Sequence, residues 1–340
     1  MARQITIGIA AAALLAGSTQ AWAQQKVELR VADSFPASHY MVAAAKSWMD
    51  LVTRKTNGQV EFKYFGNQQL GKAKDMLALT QSGATDIAYV APSYVSEKMP
   101  LSAVAELPGG FSTSCEGTVA FWKLAKDGIL AQQEYQPNQV RIVFTAVSAP
   151  YQILTTKTPI QSAKSFANLK LRAYGPTQEL AMRKLDAVPV RMAGPEIRES
   201  LSRGTLDGIV FPWASLASYD LTPMVKYSTT RQHFGAVPFN YVMNEAKWKS
   251  LPPNVQKAIS EAGEEVTRAT CAKIDDETGK LAAKLTAAGI TVVEFPPAEQ
   301  QRIAELMKDI GPEWAKGIDQ QGKPGTEVLK TFQEAVKSLR

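Results

Sequence analysis

The chain has 340 residues, 45% of them hydrophobic and 21% charged, with 38 basic against 32 acidic side chains and a formal charge of +6. At that length, ordinary apolar content calls for more core than one domain usually holds, so two domains are expected and a disordered chain is excluded. Two cysteines and two histidines, His39 and His233, exclude a disulfide-dense scaffold and a cysteine zinc cluster, and leave little material for a histidine metal site or a catalytic triad.

Met1–Gln25 reads as a secretory signal: Arg3 gives a short positive start, Ile5–Ala16 an apolar run, and Ala21-Trp22-Ala23 a small-x-small cleavage site. The run is shorter than the ~20 residues needed to span a bilayer. Removal of residues 1–23 is expected to leave an exported chain of roughly 317 residues. In an oxidising compartment Cys115 and Cys271 can pair and tie an early loop to a late helix, or persist as two buried thiols. Basic residues are scattered rather than interleaved with aromatics, so no nucleic-acid partner is expected.

Val27–Val31 alternates apolar and polar residues and predicts a strand. Tyr40–Thr53 has helical spacing through Met41, Ala44, Ala45, Trp48 and Leu51. Asn57-Gly58 turns the chain into a strand at Val60–Tyr64, and a helix over Lys72–Gln81 stops at Gly83 before a strand at Asp86–Val90, closed by Pro92. The second half repeats this order: strand Leu169–Ala173, helix Pro176–Leu185, strand Val188–Met192, helix Glu196–Ser202 ending near Gly204, strand Asp207–Phe211, then Pro212. Ser82–Asp86 and Arg203–Asp207 are thus the same phrase, helix-Gly-x-x-Asp-strand-Pro, once in each half. Pro238–Asn244 is strand-like, and Pro252-Pro253 precedes an amphipathic stretch, Val255–Ala287, about 45–50 Å long as a helix. A strand at Ile290–Phe295 and helices at Ala298–Lys316 and Thr326–Arg340 complete the chain.

Alternating strands and helices imply an α/β fold of two lobes, each a mostly parallel sheet flanked by helices. The expected division is 26–149 with about 237–275 for one lobe and 150–236 with about 276–340 for the other. Ligands of open α/β sheets sit beyond the carboxyl ends of the strands, which places a cleft near Tyr89–Pro92 and Phe211–Trp213. Hinges are expected near Ala149-Pro150, Ala236–Pro238 and within the long helix.

The run Leu169-Lys170-Leu171-Arg172, the strand Ala187–Val190, Glu196–Gly204, Asp207-Gly208, Val242-Met243-Asn244 and Leu251-Pro252 resembles one family. It is the DctP-type extracytoplasmic solute-binding proteins of tripartite ATP-independent periplasmic (TRAP) transporters, and the likeness covers essentially the mature chain. The resemblance implies a two-lobed flytrap braced by a long helix, periplasmic location, capture of a small carboxylate, and delivery to the membrane permease subunits. It also implies that Arg172 clamps the ligand carboxylate, a role suited to a guanidinium, which is always charged and offers a planar fork. No cofactor or metal is expected, and the receptor is expected to be a monomer.

Many members of that family carry Asn before the Pro that follows Asp-Gly; here the residue is Phe211. Phe211, Trp213, Tyr151, Phe239 and Tyr241 are therefore expected as apolar walls around the one cation, with Gln152 beside Tyr151, and they shift the expected solute towards an aromatic or bulky apolar monocarboxylate. In the first lobe, Phe35, Ser38 and His39 lie between strand and helix, Asn67, Gln68 and Lys72 lie in the loop before the next helix, and Tyr89 and Ser93 lie at a strand end. The alternatives are a C4-dicarboxylate or 2-oxo acid receptor, or, in another class, a secreted hydrolase or lyase. The chain shows no G-x-S-x-G elbow, H-E-x-x-H or P-loop to support the latter.

Overall fold

A computed structural model describes residues 26–340; the signal read over Met1–Gln25, with its cleavage site, lies outside the described residues. The strands are β1 (Val27–Ala32), β2 (Val60–Phe65), β3 (Ile87–Val90), β4 (Val140–Phe144), β5 (Gln152–Thr155), β6 (Lys170–Ala173), β7 (Val188–Arg191), β8 (Gly208–Phe211), β9 (Tyr227–Thr229), β10 (Asn240–Asn244) and β11 (Thr291–Val293). The helices are α1 (Tyr40–Lys55), α2 (Met76–Gln81), α3 (Ser114–Lys126), α4 (Pro176–Lys184), α5 (Ile197–Ser202), α6 (Glu245–Ser250), α7 (Pro253–Ala287), α8 (Pro297–Met307), α9 (Ile310–Asp319) and α10 (Gly325–Lys337). Among the described residues no helix is long and apolar enough to cross a membrane.

Two sheets form, in the orders β2-β1-β3-β10-β4 and β11-β9-β5-β8-β6-β7. The trio β2-β1-β3 is parallel, as is β7-β6-β8, and the repeated phrase is what builds both. Gly83 and Gly204 take φ of 73° and 68°, the left-handed turn that lets a helix end and a strand begin. The two aspartates then do the same work: an Asp86 carboxylate oxygen accepts from the Arg30 N–H at 2.7 Å and an Asp207 oxygen from the Lys170 N–H at 2.8 Å, pinning the middle strand of each parallel trio.

Each sheet departs from parallel at one strand. β10 runs antiparallel between β3 and β4, and β5 antiparallel between β8 and β9. Both follow a passage between the lobes, so the chain arrives from the opposite direction. The two passages lie side by side: Val147 bridges Pro238, the Ser148 N–H donates to Val237 O at 3.0 Å, and the Phe239 N–H donates to Ala146 O at 2.8 Å. The third connection is α7, which packs on α1, α3 and β4 of the first lobe and on the 213–215 turn and β11 of the second.

The helix expected over Ala298–Lys316 is two, α8 and α9, parted near Lys308-Asp309. Pro312 in the first turn of α9 explains the break, since a proline tolerated there cannot sit inside a continuous helix. Likewise only Met76–Gln81 of the Lys72–Gln81 expectation is α-helical, after a 3-10 turn at Ala73–Asp75. α10 packs on α3 while α9 packs on α4, so the C-terminal segment touches elements beside both sheets.

Cys115 and Cys271 are joined, with Cα atoms 4.8 Å apart. Cys115 lies in the first turn of α3 rather than in a loop. One turn further along α7, the Asp275 carboxylate accepts from the N–H groups of Ser114 and Cys115 at 2.7 and 2.9 Å, capping the positive end of α3. A crosslink spanning 156 residues of sequence restricts the unfolded chain, with a stabilisation of about 2–5 kcal/mol. Reduction is expected to lower the melting temperature by several degrees; an unchanged transition in a thiol-reductant scan would count against that role.

Helix α7 meets β4 at Gly263, where an added Cβ would stand 1.9 Å from Val143 O. Gly263→Ala should therefore destabilise by about 1–3 kcal/mol through overpacking, despite a helix-propensity gain of about 1 kcal/mol. Denaturant titration that finds the variant as stable as the parent would contradict this close approach.

Candidate ligand-binding site

The carboxyl ends of the two parallel trios face each other, and the space between them is lined from the first lobe by Phe35, His39, Tyr89, Tyr94, Val237 and Phe239. From the second lobe come Tyr151, Arg172, Tyr174, Gly194, Phe211, Pro212, Ser215 and Tyr219. The enclosed volume is about 20 Å³, room for roughly one water. Roomier cavities lie elsewhere, among them one of about 680 Å³ between the 107–110 loop and α8–α10 and one of about 510 Å³ between α1, the 214–217 turn and α7. Their cations are exposed or ion-paired, as Arg231 is with Glu294 and Lys284 with Glu277.

Arg172 sits on β6 and is 2% exposed. Its Nε donates to Met192 O at 3.1 Å and Nη1 to Val210 O at 3.3 Å. Nη2 and the second Nη1 proton are left without a partner among the described residues, and no carboxylate lies in ion-pair range there. The guanidinium carbon stands 5.6 Å from the ring centres of both Tyr174 and Phe211. The group is thus held by two carbonyls, stacked between rings, and has one end of its fork unspent.

Rings make most of the remaining wall. Phe35 stacks on His39 at 4.3 Å, leans on Tyr89 at 4.2 Å and meets Phe239 edge-on at 5.7 Å. Across the cleft, Tyr151 packs against Tyr174 at 5.4 Å and Phe211 against Tyr219 at 5.7 Å. Burial raises the phenols of Tyr89, Tyr151, Tyr174 and Tyr219 well above their ordinary pKa, so they stay neutral.

His39 caps α1: its Nδ1 accepts from the Met41 N–H at 3.2 Å. The ring proton is therefore on Nε2, which donates to Ser215 Oγ at 2.9 Å across the cleft. Burial holds this imidazole down to about pKa 3, leaving it neutral. In that tautomer His39 has no lone pair to offer Ser215, so the pair is a latch between lobes rather than a base and a nucleophile. Further contacts cross the cleft, from the Gly194 N–H to Tyr94 Oη at 3.0 Å and from Arg191 Nη2 to Ser93 O at 2.8 Å. With the phenols and imidazole neutral, the lining carries one charge, that of Arg172.

Of the residues singled out from sequence, Arg172, Phe211, Phe239, Tyr151, His39, Phe35 and Tyr89 meet at this cavity. The others do not line it. The Trp213 indole N–H is taken by Ser228 Oγ at 2.8 Å, which turns the ring towards the second sheet. Tyr241 is stacked on Phe144 at 4.4 Å, and its hydroxyl donates to Asp33 at 2.8 Å within the first core. Gln152 is spent between Gln232 O and Thr229 Oγ1, tying β5 to β9 and the segment that follows it. Ser38, Asn67 and Lys72 are exposed, and Gln68 Oε1 accepts from the Ala73 N–H at 3.1 Å. Ser93 is buried beside the cavity without lining it.

Sequence reasoning passed over Tyr94, Tyr174, Gly194, Ser215 and Tyr219. For Tyr174 a signal existed, because two residues beyond Arg172 the chain returns to the same face of an extended segment. Asp33 also went unremarked: it is buried, takes the hydroxyls of Tyr64 and Tyr241 at 2.6 and 2.8 Å and the Phe35 N–H at 3.1 Å, and so sets the loop carrying Phe35 and His39.

A family model described as bacterial extracellular solute-binding protein, family 7 (DctP) matches residues 31–317. The chain is 26% identical over 289 residues to the C4-dicarboxylate-binding periplasmic protein DctP of Rhodobacter capsulatus, covering 81% of this chain and 82% of that one. Its fold superimposes on a TRAP solute-binding protein from Rhodoferax ferrireducens, in complex with copurified benzoate, with a TM-score of 0.85 at 21% identity, over 92% of this chain and 98% of that one. A Bordetella bronchiseptica TRAP periplasmic solute-binding protein with bound (R)- and (S)-mandelate gives a TM-score of 0.83 at 22% identity, over 92% of this chain and all of that one. A family match across most of the length, on a two-lobed fold with a cation at its cleft, settles the kinship: this chain belongs to the DctP family of TRAP extracytoplasmic solute-binding proteins.

Proposed function

We propose that this protein captures an aromatic or bulky apolar monocarboxylate from the periplasm and hands it to a TRAP membrane permease. The observation that carries the reading is the charge of the lining: one buried guanidinium without a counter-ion, and rings around it. One carboxylate neutralises that charge. A second, as in a C4-dicarboxylate, would be buried among phenyl and phenol groups with no cation, at a cost of several kcal/mol. The neighbours that hold benzoate and mandelate support the same class, although the Rhodobacter relative is named for dicarboxylates.

With about 20 Å³ between the closed lobes, a ring-sized acid needs them to part first. Binding is then a shift towards the closed form, in proportion to the extra contacts made there. The unspent end of Arg172 meets both carboxylate oxygens, and the Phe35, Phe211 and Phe239 rings enclose the rest of the solute.

Calorimetry against benzoate, phenylacetate, mandelate and succinate tests the class. Saturable binding is expected for the first three, and binding of succinate alone overturns the reading. Arg172→Lys keeps the charge but loses the fork and its two carbonyl tethers, so affinity for the bound acid should fall well over tenfold. Undiminished affinity in a folded variant would remove the clamp.

A further inference from the structure

Beside the hinge lies a buried acid that the ligand reading leaves unused. Glu106 ends the 3-10 turn Leu101–Glu106 in the first lobe and is 0% exposed. Its Oε1 has no hydrogen-bond partner, and Oε2 accepts only a long bond, 3.4 Å, from Thr177 Oγ1 on α4 of the second lobe. Ser93 faces the carboxyl with its hydroxyl and N–H, yet its Oγ completes no hydrogen bond, and neither does Gln178 Nε2, the next residue on α4. The seam is tight. A Cβ on Gly175 would stand 2.6 Å from that of Ser93, and one on Gly235, just before the 237–239 passage, 3.0 Å from Glu106 O.

The titratable groups around Glu106 offer no compensation. Glu134, buried in the turn Ala131–Tyr135, acts on it with the same sign. Tyr174 gives its O–H to Ala236 O and, at 3.3 Å, to Glu106 O, and Tyr151 faces it as a neutral phenol. Arg172 lies over the Tyr174 ring and makes no ion pair with Glu106. Burial without a cation pushes this carboxyl up to about pKa 8, so in the closed form it is protonated at neutral pH.

We propose that Glu106 takes up a proton from solvent when the lobes close and gives it back when they part, coupling cleft closure to pH. On opening, Thr177 and Gln178 withdraw with α4, water reaches the carboxyl, and it ionises in the ordinary range. The closed form therefore holds the acid with the raised pKa. The contribution of Glu106 to closure is present at lower pH and is lost as pH rises towards about 8. The proposal rests on the cleft opening, not on which acid fills it.

The test needs no ligand. Spin labels at exposed Lys74 and Arg203, introduced as cysteines with the native disulfide intact, report the interlobe distance. The closed-to-open ratio of the ligand-free protein should fall roughly tenfold per pH unit between about 6.5 and 7.5 and level off above about 8; below about 6.5 His39, held neutral by burial in the shut cleft and able to protonate once it opens, acts with the opposite sign. Glu106→Gln, neutral at every pH, should abolish the slope above about pH 6.5. Thr177→Val, which removes the donor across the seam, should move the upper break to higher pH. A wild-type ratio that does not respond to pH between about 6.5 and 8 overturns the proposal, as does a Glu106→Gln variant that keeps the slope there or a break that Thr177→Val leaves in place.

Discussion

A guanidinium buried without its counter-charge is an unstable arrangement unless something fixes it in place, and the rest of this structure follows from how Arg172 is fixed. Two of its five N–H groups are bound to main-chain oxygens of the residue after β7 and of β8, so the second sheet itself holds the cation. The first lobe's share of the lining supplies rings and a neutral imidazole but no acid. The protein thus keeps an unmet electrostatic demand where its two halves join, and low polarity strengthens any anion that meets it.

That demand makes sense of the surrounding chemistry. His39 is used for its shape and its single N–H, since burial removes its charge, and Asp33 is engaged by two tyrosines outside the cavity. Burial also raises the Asp33 pKa, more than the Tyr64 and Tyr241 hydroxyls lower it. Either group, ionised in the lining, would alter the charge balance around Arg172.

Much of this was legible in the residues because it is local. Gly83 and Gly204 with their aspartates announce a repeated unit, and Arg172 ends a strand on the face where ligands of such sheets bind. What was not legible depends on distant partners. Nothing in Gln152–Thr155 or Asn240–Asn244 says that these strands enter their sheets antiparallel; that follows from the side on which the chain returns. Trp213 and Tyr241 have the composition of cleft walls, but Ser228 and Asp33 claim their polar ends. Ser38, Asn67, Gln68 and Lys72 belonged to plausible anion loops and instead close their own turns or face water.

The passages at 146–148 and 237–239 are joined to each other as a short antiparallel ribbon. A ribbon bends easily across its width and resists shear between its strands, and Tyr151 and Gly235 extend the lacing one step further. Such a strap favours a swing of one half against the other over a slide between them. In the closed arrangement Ser215 meets His39 and Gly194 meets Tyr94, so two hydrogen bonds across the cleft define the shape of the shut pocket.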